Sequence, residues 1–378
     1  MARSAKNSSG DDKDVPMDRI LIVTDFVNAG RSTSVLPNLI QAFRQNGHEV
    51  QLVTLGGSEN QISSVDSSSI VYPGRHCLRF LRKLRQQVKA VSADRVIAWG
   101  NLAIQQLGFC ALGLPGHFCA VHESVDWWHH QSNINQIALR RYPQHLVHHQ
   151  GVVARLQSLL GASGGAVSCL PTTRMPLIES SNSESIKQRL GLPGDCKLVG
   201  SCASFEPRTR VKDFIWAGDL MSCIRQDVHW LAIGKGPQEW RLKKFASQLE
   251  IGKHLHFLDW DQDTPNVLAG LDVYVQPSTW DDSCAGLITA MSLGLPVVGT
   301  SRTPHQELVA SGDNGFAVER GARNEIARCV NRLVNQPEIA TRMGRRSQLR
   351  HGELATIEQL VGCLLGVMKP SQNHSVAA

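Results

Sequence analysis

Residues 273–300 read VYVQPSTWDDSCAGLITAMSLGLPVVGT. A short apolar run ends at Pro277-Ser278, and an acidic pair, Asp281-Asp282, follows in a polar loop. Ala285 to Leu293 is apolar at helical spacing, with Gly294 placed as a C-cap and Pro296 just beyond it. A second apolar run, Val297-Val298, comes at once. Strand, loop, helix and strand in so few residues make one α/β unit of a parallel sheet. In such a sheet the loop at the strand's carboxyl end opens onto the ligand crevice, so Ser278 to Ala285 is where chemistry is expected.

Outward from this unit the same alternation repeats. Upstream, Lys197–Ala203, His229–Ile233 and His254–Leu258 read as strands. Lys212–Cys223, Trp240–Leu249 and Pro265–Ala269 read as the helices between them. Downstream, Gly315–Val318 reads as a strand, followed by helices over Asn324–Val334, Pro337–Arg350 and Thr356–Met368. The chain's first half begins with Arg19–Thr24 (RILIVT), a polar loop containing Gly30, a helix over Val35–Asn46 and a strand over His48–Leu55. That is a Rossmann-like opening, but it lacks G-x-G-x-x-G, which argues against a dinucleotide dehydrogenase. Gly56–Gly74 is serine-rich and reads as a surface loop. Further strands are expected at Arg95–Ala98, His117–Val121, His145–His148 and Ala166–Leu170, with helices at Leu102–Leu112, Asn133–Arg141 and Val152–Leu160. Pro171–Ser185 is rich in proline and serine and divides the chain. The expected organisation is a disordered tail over 1–17, a first domain over 18–171, a linker over 172–185 and a second domain over 186–354. A last helix, 355–368, packs back on the first domain.

A chain of 378 residues carries two domains of ordinary size. Its formal charge of +6 suits anionic ligands or an anionic surface and lacks the dense basic clusters of a nucleic-acid binder. The ten cysteines are scattered without C-x-x-C spacing and read as reduced core thiols of a cytoplasmic protein. The histidines show no metal-ligand spacing, so no metal and no cofactor is expected.

The frame Pro277, Ser278, Ala290, Met291, Gly294, Pro296, Val297 resembles the glycosyltransferases of family 4 (group 1), whose pattern here is P-S-x-x-E-x-x-G-x-x-x-x-E-A-M-A-x-G-x-P-V. Gly47-His48-Glu49-Val50 matches a further family strand, and Asn38-Leu39 matches the helix before it. The resemblance implies the GT-B fold, α/β with two Rossmann-like domains facing each other across a cleft. It implies a nucleotide-diphosphate sugar as co-substrate, a glycan or lipid-linked acceptor, retention of configuration and no metal. It is strongest from about Gly200 to Gly344. Departures are specific. Asp281 stands at the family's first glutamate and Thr289 at its second. In the diphosphate-holding loop, Ser204 replaces the arginine and Thr209 the lysine, while Arg31 replaces one of two loop glycines.

The cleft is expected to be lined by Gly30, His122, Gly234 to Pro237 and Asp281 to Ala285, including Asp282 and Ser283. Gly234 and Gly236 read either as a turn letting backbone approach the nucleotide or as a plain strand-to-helix turn. Arg208, Arg210 and Lys212 reach the phosphates from displaced positions, or form a solvated basic turn. Asp281 faces the sugar, with about one ångström less reach than a glutamate, or caps the following helix together with Asp282. Thr289 offers one acceptor for the ribose where the family has a carboxylate. His122 ends a strand in the first domain, where the family places a histidine facing the donor sugar. Trp127-Trp128 reads as core or as a stacking surface for an acceptor sugar. Glu307 matches a family position and reads as structural. The basic stretch Arg75 to Lys89, with Leu78, Leu81, Leu84 and Val88 as its apolar stripe, is an ordinary surface helix or an interfacial one on anionic lipid. Three functions follow: a glycosyltransferase, a binding protein that kept the fold and lost the donor grip, and a sugar-nucleotide epimerase.

Overall fold

In the computed structural model the described residues are 17–25, 35–55, 67–70, 77–123, 125–129, 136–162, 164–174, 183–260, 264–278, 284–301 and 305–368. Among the described residues thirteen strands form two wholly parallel sheets. The first contains β1 (Arg19–Thr24), β2 (Glu49–Thr54), β3 (Ser67–Ser69), β4 (Arg95–Trp99), β5 (His117–His122), β6 (Gln144–Val147) and β7 (Ala166–Cys169), in the order β3-β2-β1-β4-β5-β6-β7. The second contains β8 (Lys197–Cys202), β9 (Val228–Ile233), β10 (Leu255–Leu258), β11 (Val273–Gln276), β12 (Val297–Thr300) and β13 (Gly315–Val318), in the order β10-β9-β8-β11-β12-β13. In both, the order reverses beside the first strand, which opens a crevice at the carboxyl ends.

The first-half helices are α1 (Val35–Gln45), α2 (Leu78–Val91), α3 (Asn101–Cys110), α4 (Asp126–His129) and α5 (Gln150–Leu160). Those of the second half are α6 (Ser183–Arg189), α7 (Val211–Ser222), α8 (Glu239–Ala246), α9 (Thr264–Ala269), α10 (Ala285–Ser292), α11 (His305–Leu308), α12 (Arg323–Asn335), α13 (Pro337–Glu353) and α14 (Ile357–Val367). Each sheet is covered on both faces. The interior strands β1 and β9 have nearly every residue buried, so they read as largely apolar runs.

Three expectations change. The serine-rich stretch is not all surface loop: Ser67–Ser69 adds β3 to the edge of the first sheet, with Leu52 opposite Ser67. Serines have little preference for strands, but an edge position asks only that the backbone pair. Of the helix expected over Asn133–Arg141, Gln136 and Ile137 are helical among the described residues, and the end tightens into a 3-10 segment at Leu139–Arg141. In α2 the buried stripe is Phe80, Leu84 and Val88, while Leu78 is 75% exposed. The phenyl ring at i, i+4, i+8 buries more area than the leucines at 78 and 81, and it sets the helix rotation.

The chain crosses back at its end. Thr356 caps α14 and accepts from Gln359, while the Gln359 side chain accepts from the Thr356 backbone. Leu360, Val361 and Leu364 then pack with Ile20, Leu36, Leu39 and Ile97 of the first domain. Arg95 of β4 donates to the carbonyls of Leu365 (3.1 Å) and Met368 (2.8 Å), satisfying the helix's last turn. The dividing stretch is stitched to this crossing: Ala355 N donates to Thr172 O at 3.0 Å, and Arg174 N donates to Ala355 O at 2.8 Å.

Candidate functional site

The site is built from strand exits. On the first sheet, β1 ends at Asp25, whose carboxylate accepts from the backbone N–H of Leu102 (2.7 Å) and of Ala103, at the start of α3. Gly100 is required there, because a Cβ would lie 2.8 Å from that carboxylate and φ is +102°. Asp25 thus anchors a helix N-terminus, where a negative charge is favoured. Gly30 lies outside the described residues.

His122 ends β5 and is buried. The Trp128 indole N–H donates to His122 Nδ1 at 3.2 Å. Nδ1 is therefore an acceptor, and the neutral ring carries its proton on Nε2, which donates to His145 Nδ1 at 2.9 Å. Burial and the neighbouring His145 and His148 hold His122 well below its ordinary pKa. With both nitrogens committed inside the core, His122 does not face a donor sugar. Trp128 is core and Trp127 packs edge-on against it at 4.8 Å.

On the second sheet, the exits of β8 and β9 interlock. Phe205 N donates to Lys235 O at 2.8 Å, and Gln238 N donates to Phe205 O at 2.9 Å. A Cβ on Gly234 would sit 1.9 Å from Ala203 O, and one on Gly236 would sit 2.7 Å from Phe205 N. These glycines therefore let two loops touch.

Thr209, at the place of the family's lysine, is buried, and its hydroxyl lies 2.5 Å from Ser204 O and 2.9 Å from Glu206 O. It closes the turn from inside. Arg210 takes a left-handed conformation (φ 54°) and donates from Nε to Asp213 at 2.5 Å. The other oxygen of Asp213 accepts from Arg323 at 2.9 Å, and that guanidinium lies 4.2 Å over the Trp216 ring. Lys212 sits 4.4 Å over Phe245. Arg210 and Lys212 are thus held by partners within the second domain, and Arg208 is exposed in the 3-10 turn Pro207–Thr209.

The exit of β11 carries Pro277 and the buried Ser278. Asp281, Asp282 and Ser283 lie outside the described residues. The chain re-enters at Cys284, left-handed at φ 51°, and starts α10 at Ala285. Thr289 lies one turn on, half-buried, on the face of Ala285.

Residues that the motifs did not mark tie this exit to its neighbours. The Thr300 hydroxyl donates to Ser278 O at 2.6 Å and lies 2.8 Å from His305 Nδ1. A carbonyl only accepts, so the hydroxyl proton goes to Ser278 and His305 Nδ1–H donates to Thr300. His305 Nε2 is then a fully buried acceptor with no hydrogen-bond partner among the described residues. Burial, with a smaller effect from His149, pushes the His305 pKa down to about 3. Glu307, on the same short helix, reaches across to His149 of the first domain at 3.7 Å. Burial raises the Glu307 carboxyl. Arg350 of α13 holds the helix's carbonyl end through Glu307 O at 3.1 Å. His148-His149 follows β6 at the sheet's carboxyl edge, so the strand-end rule applied to His122 would also have marked this pair. Among the described residues no three His, Cys, Asp or Glu side chains are grouped to hold a metal, and no helix is long and apolar enough to cross a membrane.

Residues 182–350 match the family described as Glycosyl transferases group 1. The chain is 28% identical over 160 residues to the lipopolysaccharide core biosynthesis glycosyltransferase LpsE of Rhizobium meliloti (strain 1021), covering 42% of this chain and 46% of that one. It is 22% identical over 192 residues to the putative glycosyltransferase EpsD of Bacillus subtilis (strain 168), covering 50% of each. The aligned part thus spans about half the length of these curated relatives. The fold is similar to that of Anabaena Alr3699/HepE, solved in complex with UDP-glucose, with a TM-score of 0.78 at 17% identity over 92% of this chain and 99% of that one.

Proposed function

We propose, from a second half that belongs to the group 1 glycosyl transferases and a whole chain with the GT-B fold, that this protein transfers a sugar from a nucleotide-diphosphate donor to a glycan or lipid-linked acceptor. The observation that carries the reading is the exit of β11 through Pro277 and buried Ser278 into α10, inside the matched stretch and at the carboxyl edge of the second sheet. Two relatives are named as glycosyltransferases, and the structural neighbour was solved with UDP-glucose. A nucleotide sugar is therefore the donor we assign, with UDP the first base to test. We assign retention and metal independence on the family pattern. We place the reaction in the cytoplasm, with α2 as a contact for an anionic membrane face.

Transfer requires the leaving diphosphate to be neutralised and the sugar's developing positive charge to be stabilised. The N-terminus of α10 is assigned as the source of backbone donors for the first, and Arg208, exposed in the turn after β8, as a basic side chain for it. Asp281 is assigned to the second, and Thr289 to the ribose. The Ser278–Thr300–His305 chain holds the exit of β11, three residues before Asp281 in sequence.

A second reading has its own observation. Thr209 is turned inward, and Arg210 is committed to Asp213, so the loop that grips a diphosphate in the family is built here as a closed turn. A binding protein without turnover would look like this. Transfer and donor-hydrolysis assays over UDP-, GDP- and ADP-sugars, with calorimetry of each donor, separate the two. The enzyme reading expects turnover in wild type. It expects Asp281→Asn to lower kcat with donor affinity nearly intact, the mark of an interaction made mainly in the transition state. Silence across the panel with acceptors supplied rejects it. Donor binding without turnover would establish the second reading.

A further inference from the structure

A cavity of about 750 Å³ lies where the two halves and the crossing chain meet. Five separate segments line it. From α1 come Gln41 and Gln45, with Val35 and Ala42; from the dividing stretch come Thr173 and Arg174. From the second domain come Ser292 at the end of α10 and Gln348 of α13, and from the start of α14 come Thr356, Ile357 and Glu358. The cavity is not the candidate donor site. That site is at the strand exits, and this one follows α1 to its last residue and meets α10 at its carboxyl end.

Its chemistry is specific. Gln41 and Gln45 have no side-chain hydrogen bond among the described residues, and Gln348 makes one long bond, 3.4 Å, to Ser292 O. Amides both donate and accept, as hydroxyls do, and they pair with neighbouring hydroxyls on a ring. Val35, Ala42 and Ile357 place small aliphatic patches between them, suited to the C–H face of a sugar. Other classes fit less well. An anion would meet Glu358 beside Arg174, the only guanidinium among the described lining residues. Among the described lining residues a nucleobase would find no ring but the buried His351 to stack on, and an acyl chain would find its apolar contact broken by amides. The size falls within the ~300–1,000 Å³ of small-molecule sites.

We propose that this hinge cavity binds a neutral mono- or oligosaccharide, held by the amides of Gln41, Gln45 and Gln348. Such a ligand touches α1 and α13 together, so its occupancy is linked to the angle between the domains. The inference does not depend on the transferase reading.

Saturation-transfer NMR on the full chain tests it, with glucose, N-acetylglucosamine, maltose and cellobiose at millimolar concentration. At least one saccharide is expected to take up saturation. UDP-glucose should not displace it, and Gln41→Leu/Gln348→Leu should weaken it at least about tenfold through the loss of two hydrogen bonds. Calorimetry with UDP-glucose on the same variant gives a separate readout of the cleft. Should the double variant unfold, Gln45→Leu alone is read the same way. Absence of saturation for all four sugars overturns the proposal. So does a signal that survives the substitutions undiminished, or one that UDP-glucose displaces. Failure of the transferase reading would leave a different trace: no nucleotide-sugar binding, with the saccharide signal intact.

Discussion

At the scale of single residues, the informative groups are buried and polar. His122, His145 and His305 are all held neutral by burial, with His145 pushed to about 4 and His305 to about 3. An unfolded histidine takes up its proton near pH 6.5, but these rings in the folded chain do not. Their contribution to stability is therefore complete above pH 6.5 and is lost as pH falls toward the folded values. Each costs about 1.4 kcal/mol per pH unit below pH 6. His305→Asn keeps an N–H for Thr300 and removes the titration, so the loss of unfolding free energy between pH 6.5 and 5 should shrink by about 2 kcal/mol. Urea unfolding at the two pH values measures it, and an unchanged slope would show that His305 is protonated in the native state. The sequence marked His122 because it ends a strand, and that placement is correct. What a strand end does not reveal is whether the ring turns outward, and the Trp128 indole six residues on turns it inward. Thr209 and Ser204 were legible as departures from the family pattern. That Thr209 closes its own loop became visible only with the fold.

At the scale of elements, strands and helices were read from apolar runs and periodicity, and both sheets follow from them. The errors fall where the period is carried by unlike residues. In α2 an aromatic ring at position 80 outweighs two leucines and rotates the helix. The rotation leaves Leu78, Arg79, Arg82, Lys83 and Lys89 exposed. If this surface meets anionic lipid, each basic side chain near the bilayer adds about 1 kcal/mol. Arg79→Gln/Arg82→Gln/Lys83→Gln should then weaken sedimentation with phosphatidylserine vesicles by about a hundredfold at low salt. Equal sedimentation of variant and wild type would remove α2 from the membrane. The glycine turns allow a paired comparison. Gly234→Ala drives a methyl into Ala203 O and should cost about 1–3 kcal/mol or more by overpacking. Gly252→Ala meets nothing closer than 3.8 Å and should be neutral or slightly stabilising. Denaturation midpoints of the two variants compare them directly.

At the scale of the molecule, two parallel sheets are joined by a stretch that is itself tied to the returning chain through Thr172, Arg174 and Ala355. The Rossmann-like halves were readable because each repeats strand and helix within a few residues. The cleft's polar bridge, His149 to Glu307, was not, because its partners are 158 positions apart in sequence and the family position of Glu307 names no partner for it. Leu364 is fully buried against the first domain, and Leu364→Ala should cost about 2–5 kcal/mol. Because α14 and the first domain share a core, that loss should appear in near-ultraviolet signals from Trp99 as well as in global unfolding. A change confined to the second domain would contradict the shared core. The same packing has a bearing on how the chain is made. Synthesis runs from the amino end, and domains generally fold in that order. Here the first domain to emerge from the ribosome is the last to be completed. Its apolar face around Leu36, Leu39 and Ile97 stays uncovered until α14 emerges, after the whole second domain. A chain stopped before residue 357 would expose that face permanently, and such a fragment should be held by chaperones or degraded even though all of its strands are present.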